Sequence, residues 1–124
     1  MSPTVSGWLA QHRELPELDL NILLCHRLEL NRSALILRAG EMLDPDTLQI
    51  LSEDVSRLRA GEPLAYVLGE WSFWDFDLIV TPDVLIPRPE TETLVEAALE
   101  VAAPGQRALD LGTGSGAIAI ALCR

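Results

Sequence analysis

An acid and three glycines near residue 110 are spaced as in loops that bind nucleotide cofactors. Asp110 ends an apolar stretch of the sequence. Three glycines follow it at alternate positions: Gly112, Gly114 and Gly116. Glycine lets the backbone turn through angles that are costly for other residues, and it lets the backbone approach a ligand closely. The apolar run 117–122 then predicts a helix, whose first free amide N–H groups suit a phosphate or a carboxylate.

Two classes of cofactor use loops of this kind, and the glycines alone do not decide between them. Dinucleotide enzymes show G-x-G-x-x-G or G-x-G-x-x-A, which Gly112, Gly114 and Ala117 match. Enzymes that use S-adenosylmethionine (SAM) typically place an acid two residues before a G-x-G-x-G run, and Asp110 fits that position. The acid that would bind the ribose is expected about 20 residues further on, beyond Arg124. We therefore favour SAM, with a dinucleotide or a tight turn without a ligand as alternatives.

The composition disfavours several kinds of partner. The formal net charge of the 124 residues is -10, whereas gripping nucleic acid through its phosphates requires a basic surface. We therefore expect no direct nucleic-acid binding and no attraction to an anionic membrane. No apolar run approaches the roughly 20 residues of a membrane helix, and no signal peptide is recognisable, which predicts a cytoplasmic protein. Cys25 and Cys123 have no ligand-spaced partners, so we expect no metal site.

Residues 1–62 are predicted to form a bundle of short helices. The clearest helix is Pro45–Ala60, because Asp44 can cap its first turn and proline suits its first position. Glu53 and Arg57 are spaced to pair across one turn. Its apolar face consists of Leu48, Leu51, Val55 and Leu58. Shorter helices are predicted at about 5–12, 18–28 and 33–39.

Residues 63–84 are predicted to form a β-hairpin that links two domains. In the segment 74–80, apolar residues alternate with residues that are acidic or predicted to face outward. This period of two is typical of a half-exposed strand. Leu64–Leu68 is interpreted as the second strand, with the connection at Gly69 and Glu70. The aromatic residues concentrated here indicate either a hydrophobic cluster under the hairpin or a ligand contact.

Residues 85–124 are predicted to contain a helix, a strand, the glycine loop and a second helix. Pro87 and Pro89 fix an extended segment, and the latter suits the start of a helix. Arg107–Leu111 is then interpreted as a short buried strand that leads into the glycine loop.

Four segments, in this order, closely resemble the PrmC/HemK family, the protein-(glutamine-N5) methyltransferases of peptide-chain release factors. The segments are GEPLAY at 61–66, FW at 73–74, LIPRPETE at 85–92 and LDLGTGSG at 109–116. The resemblance implies an α-helical bundle N-terminal domain (1–62), a β-hairpin linker (63–84) and the truncated start of an α/β Rossmann-like SAM-dependent methyltransferase domain (85–124). In that family the helical domain helps to recognise the release factor.

The resemblance also implies roles for individual residues. Arg88 and Glu92 are expected near the active site, with a mutual salt bridge and helix capping as the alternative. Asp110 is expected to support the cofactor loop. The methionine end of SAM would be lined by Gly112, Thr113, Gly114, Ser115 and Gly116.

The activity implied by the resemblance is methyl transfer from SAM to the glutamine amide in the Gly-Gly-Gln motif of class I release factors. The family's Asn-Pro-Pro-Tyr signature, which holds that amide, is absent from these 124 residues. We therefore expect this chain alone to be inactive, and its catalytic residues are not identified. The alternatives are a non-catalytic module that docks a release factor and, less favoured, an NAD(P)-binding oxidoreductase.

Overall fold

A computed structural model describes residues 2–124, which divide into two compact units. The first unit ends at Leu68 and the second begins at Gly69. Within the described residues, no helix is long and apolar enough to cross a membrane. The elements are α1 (Val5–Gln11), α2 (Glu17–Leu28), α3 (Arg32–Leu37), α4 (Pro45–Arg59), α5 (Leu64–Leu68), β1 (Glu70–Phe73), β2 (Phe76–Ile79), α6 (Thr91–Val101) and α7 (Ala117–Cys123).

The first unit is a helical bundle with its own apolar core, as predicted. Helix α2 packs against α3, α4 and α5, and α4 also packs against α5. Leu23, Leu24 and Leu51 at the centre have no exposed surface. On the predicted face of α4, Leu51 and Val55 are buried and the other two residues are half-buried. The remaining buried apolar residues of the unit are Val5, Trp8, Leu20, Leu35, Leu43, Leu64, Ala65 and Val67.

Asp44 caps α4 as its position before a proline predicts. Its carboxylate accepts the Thr47 backbone N–H at 2.8 Å and the Thr47 hydroxyl at 2.8 Å. These two bonds, the backbone bond first, hold the pKa of Asp44 below its ordinary value. The carboxylate is therefore more stable as an anion in the folded chain than in the unfolded chain.

We expect replacement of Asp44 by Ala to destabilise the helical unit at neutral pH and to have no effect in strong acid. Because the folded-state pKa is depressed, the stabilisation is complete above the unfolded pKa of about 4. It is then lost as the pH falls through the folded-state value. Urea unfolding over a pH series measures the difference, with Asp46→Ala as the matched control. A difference between wild type and variant that does not change with pH would contradict the role of the carboxylate.

Arg57 does not pair with Glu53, contrary to the prediction. Its Nε instead donates to Glu62 Oε2, beyond the end of α4. Its terminal nitrogens donate to the carbonyls of Tyr66 at 3.3 Å and Val67 at 3.5 Å. The side chain therefore turns away from its own helix, because the last carbonyls of α5 need donors that the helix itself does not supply.

The predicted strand at Leu64–Leu68 is wrong, since this segment is helix α5. The carbonyl of Pro63 accepts the N–H groups of Tyr66 at 3.1 Å and Val67 at 3.2 Å, which closes a helical turn. Three of the five residues are buried against the bundle. A five-residue apolar run has no periodicity that separates strand from helix, so the proline before it was the better signal.

The hairpin is confirmed, but it lies further along the chain than predicted. Strands β1 and β2 are antiparallel, and Phe73 pairs with Phe76 across a two-residue turn. Phe73 and Leu78 face inward and are buried, whereas Ser72 and Asp77 face outward. The rings of Phe73 and Phe76 meet edge to face with centroids 6.1 Å apart. These phenylalanines therefore belong to a hydrophobic cluster under the hairpin.

Helices α6 and α7 pack against each other, but the expected strand at Arg107–Leu111 is not formed. Leu109 and Leu111 are each 84% exposed, and the described residues form no sheet other than the β1–β2 pair. A strand needs a neighbour for its backbone N–H and C=O groups, and none lies beside this segment. The start of an α/β sheet is therefore not confirmed.

Candidate functional site

The glycine loop has the backbone geometry that its sequence predicts. The φ angles of Gly112, Gly114 and Gly116 are +68°, +56° and +84°, in the left-handed region that is costly for residues with a Cβ. A Cβ at Gly112 or Gly114 would meet no heavy atom within 4 Å, so open space lies beside the backbone there. Gly116 precedes α7, and its carbonyl accepts the Ile120 N–H at 2.8 Å. The loop thus combines a tight turn, room for a ligand and a helix start.

Two hydrogen bonds hold the loop in this shape. The Thr113 hydroxyl donates to Asp110 Oδ2 at 2.8 Å. The Gly116 N–H donates to the Thr113 carbonyl at 2.9 Å. Ser115 is half-buried in the same turn. The six residues predicted for the cofactor therefore form one continuous loop, in which the acid orients the threonine.

Arg88 and Glu92 do not form the salt bridge that was the alternative interpretation. Glu92 Oε1 accepts the backbone N–H of Trp74 at 2.7 Å. The Arg88 side chain is exposed and takes part in none of the ion pairs found among residues 2–124, while its carbonyl accepts the Thr91 N–H at 3.0 Å. Neither residue bonds to the glycine loop in the described part of the chain.

The turn of the hairpin was not predicted from the sequence. Trp74 has a φ of +56°, the first of the two residues that connect β1 and β2. Asp75, the second, forms an ion pair with Arg124, whose Nε lies 2.8 Å from Oδ1. Two-residue hairpin turns require a positive φ, so correct strand boundaries would have singled out this tryptophan.

The titratable groups elsewhere offer no alternative centre. The described residues contain no group of three or more His, Cys, Asp or Glu side chains that could hold a metal ion. Burial raises the pKa of the Cys25 thiol, opposed by the charge of Arg32, so the thiol is not activated as a nucleophile. Hydrogen bonds from Arg59 lower the pKa of Glu14, which fits a solvated ion pair. The glycine loop therefore remains the candidate site.

Known proteins resemble this chain along most of its length. The chain is 53% identical over 109 residues to the release factor glutamine methyltransferase of Vibrio cholerae, covering 86% of this chain and 38% of that protein. It is 46% identical over 125 residues to the release factor glutamine methyltransferase of Burkholderia pseudomallei, covering 98% of this chain and 43% of that protein. The chain thus spans about two fifths of the length of these curated relatives.

A family model also matches the helical part of the chain. The matched family is the PrmC N-terminal domain, and the match covers residues 6–69. This range contains all five helices of the first unit except the first residue of α1. The chain therefore belongs to the PrmC family.

Proposed function

We propose that this chain is the N-terminal part of a SAM-dependent methyltransferase that acts on the glutamine of the Gly-Gly-Gln motif in class I release factors. The observation that carries the proposal is similarity over 98% of the chain to a protein named as a release factor glutamine methyltransferase. Because that similarity covers 98% of this chain, it includes the Asp110–Gly116 loop as well as the helical unit. The left-handed glycines and the space beside them support a nucleotide-type cofactor there.

The loop residues suit the methionine end of SAM. Without side chains at Gly112 and Gly114, the backbone can lie directly against a ligand. Asp110 keeps the Thr113 hydroxyl engaged, which fixes the turn before the cofactor arrives. SAM, when bound, supplies a methyl group on a sulfonium centre. The contribution of these residues is to hold that methyl group in one place and orientation.

The proposed chemistry depends mainly on positioning because of the group that receives the methyl group, the side-chain amide of glutamine. An amide nitrogen is a poor nucleophile because its lone pair is delocalised into the carbonyl. Catalysis then depends on holding the amide against the methyl group and on acceptors that orient its N–H groups. The Asn-Pro-Pro-Tyr signature expected to do this is absent from these 124 residues. This chain alone is accordingly proposed to be inactive.

The proposed organisation assigns recognition and cofactor binding to different parts of the protein. Residues 1–62 form the helical domain, which would recognise the release factor. The predicted linker, residues 63–84, then consists of α5, which packs on the helical domain, and the hairpin that follows it. Residues 85–124 would begin the α/β domain that holds SAM. We place this activity in the cytoplasm, without a role for nucleic acid or membrane. Arg88 and Glu92 remain assigned to the vicinity of the active site.

Transfer of tritium from labelled SAM to a release factor tests the proposal. We expect the full-length protein to label a class I release factor, and we expect replacement of the Gly-Gly-Gln glutamine to abolish labelling. A release factor with a different exposed glutamine replaced is the matched control and should be labelled normally. Equal labelling of the wild-type and motif-substituted release factors would refute the assigned acceptor.

A binding module is the second candidate, because the helical unit has a core of its own. Calorimetry with the full-length protein separates the two functions. Heat with a release factor but not with SAM favours the module, and binding of NAD(P) would favour an oxidoreductase.

A further inference from the structure

The hairpin turn contains a bulky residue in a conformation that such residues rarely adopt. Trp74 has a φ of +56°, and apart from Glu29 it is the only described residue other than glycine with a positive φ. For a side chain with a Cβ, this conformation is disfavoured by contact with the following carbonyl. Such conformations persist where surrounding contacts hold them, often at sites of function.

Glu92 of α6 and Arg124, the residue after α7, hold this turn from outside the hairpin. Glu92 in the first turn of α6 accepts the Trp74 N–H at 2.7 Å. Arg124 binds the carboxylate of the neighbouring Asp75, with Nε 2.8 Å from Oδ1 and Nη2 3.2 Å from Oδ2. The Arg124 guanidinium carbon also lies 5.5 Å from the centre of the Phe76 ring. Both residues of the turn are therefore fixed by side chains of other elements.

The bond to Glu92 requires an acceptor rather than a charge. The Trp74 N–H lies outside the β1–β2 ladder, and it is partly buried, so it needs a partner. A carboxylate oxygen makes a strong acceptor, and an amide oxygen of the same length can occupy the same place. Glutamine can therefore substitute for this glutamate in holding the turn, whereas alanine cannot.

Because its N–H is held, the Trp74 backbone fixes the direction in which its side chain leaves the turn. This side chain is half-buried, so part of its surface remains accessible. A rigid tryptophan at a turn offers a large apolar surface with one N–H, the kind of group that dominates protein–protein contacts. The neighbouring Phe73 is buried and belongs to the core, whereas Trp74 and Phe76 are half-buried, and of these two only Trp74 lies in the turn itself.

We propose that Glu92 is a positioning residue, which holds the hairpin turn so that the Trp74 indole contacts the protein substrate. The contact with substrate rests on the proposed function, whereas the hold on the turn does not. Glu92 thus acts through Trp74 and is not itself a substrate ligand.

Amide hydrogen exchange tests the hold on the turn without any substrate. In this chain, we expect Glu92→Ala to speed exchange of the Trp74 amide about tenfold, since the acceptor of a partly buried N–H is lost. Glu92→Gln should leave the exchange close to wild type. Glu96→Ala, one turn further along the same helix, is the matched control and should change nothing. Unchanged exchange in Glu92→Ala would overturn the proposal.

Steady-state kinetics of the full-length enzyme test the contact with substrate. We expect Glu92→Ala and Trp74→Ala each to raise KM for the release factor about tenfold, with kcat and KM for SAM unchanged. Their double variant should be no worse than the worse single variant, because both act through one side chain. Glu92→Gln should behave as wild type. Loss of kcat in Glu92→Gln would show that the carboxylate acts in the chemistry and would overturn the proposal.

The two experiments also separate this inference from the proposed function. If the full-length protein labels no release factor but Glu92→Ala still speeds exchange of the Trp74 amide, then Glu92 holds the turn and the proposed substrate is wrong.

Discussion

Replacing Arg27 by Ala is expected to lower the free energy of unfolding of the helical unit by about 3–5 kcal/mol. Arg27 binds Asp54 with both arms of its guanidinium, Nε to Oδ2 at 2.7 Å and Nη2 to Oδ1 at 2.9 Å. The Asp54 side chain is only 5% exposed. Without the arginine, a carboxylate would remain buried with no cation beside it, which is the costly state. The same guanidinium also donates to the Val67 carbonyl at 3.3 Å, so the end of α5 would lose a donor as well.

Urea unfolding followed by circular dichroism at neutral pH measures this loss. Arg13→Ala removes an exposed arginine that forms no ion pair in the described residues, and it should leave the midpoint nearly unchanged. Replacing both partners by apolar residues, Arg27→Met with Asp54→Leu, should restore much of the stability, because no charge is then buried. If Arg27→Ala were no more destabilising than Arg13→Ala, the pair would not stabilise the bundle.

Gly114→Ala is expected to weaken SAM binding by the full-length protein at least about tenfold. The φ of Gly114 is +56°, and a residue with a Cβ in that region costs roughly 1–2 kcal/mol, which corresponds to about a factor of ten. A methyl group would also occupy the open space beside the loop, where we place the cofactor.

Titration calorimetry with SAM measures this effect, and Gly40→Ala is the matched control. Gly40 has no positive φ and a Cβ there meets nothing within 4 Å, so its substitution should alter neither binding nor stability. Unaltered SAM affinity in Gly114→Ala would remove the loop from the cofactor site. An equal loss in both variants would indicate a general effect on folding.

The helices of the first unit were predictable because their signals are local. Asp44 and Pro45 mark the start of α4, and the spacing of Leu51 and Val55 marks its buried face. The left-handed glycines were predictable for the same reason, since glycines at alternate positions, such as Gly112 and Gly114, indicate a backbone that needs positive φ angles.

The predictions that were wrong or missing concern features that depend on residues far away in the sequence. Leu64–Leu68 is too short for its periodicity to decide, and its burial against the bundle decides in favour of helix. Arg107–Leu111 has the composition of a strand, but a strand forms only beside another strand. The hydrogen bond from the Trp74 N–H to Glu92 joins residues 18 positions apart, and no local sequence pattern predicts it.

The two exposed leucines before the glycine loop bear on solubility. Leu109 and Leu111 are each 84% exposed on a segment whose backbone is not paired in a sheet, which makes it a template for association between chains. Asp110 lies between them, and a charge inside such an apolar segment opposes stacking of identical copies, because like charges would face each other. We therefore expect Asp110, the acid proposed for the cofactor loop, to oppose association of this segment as well.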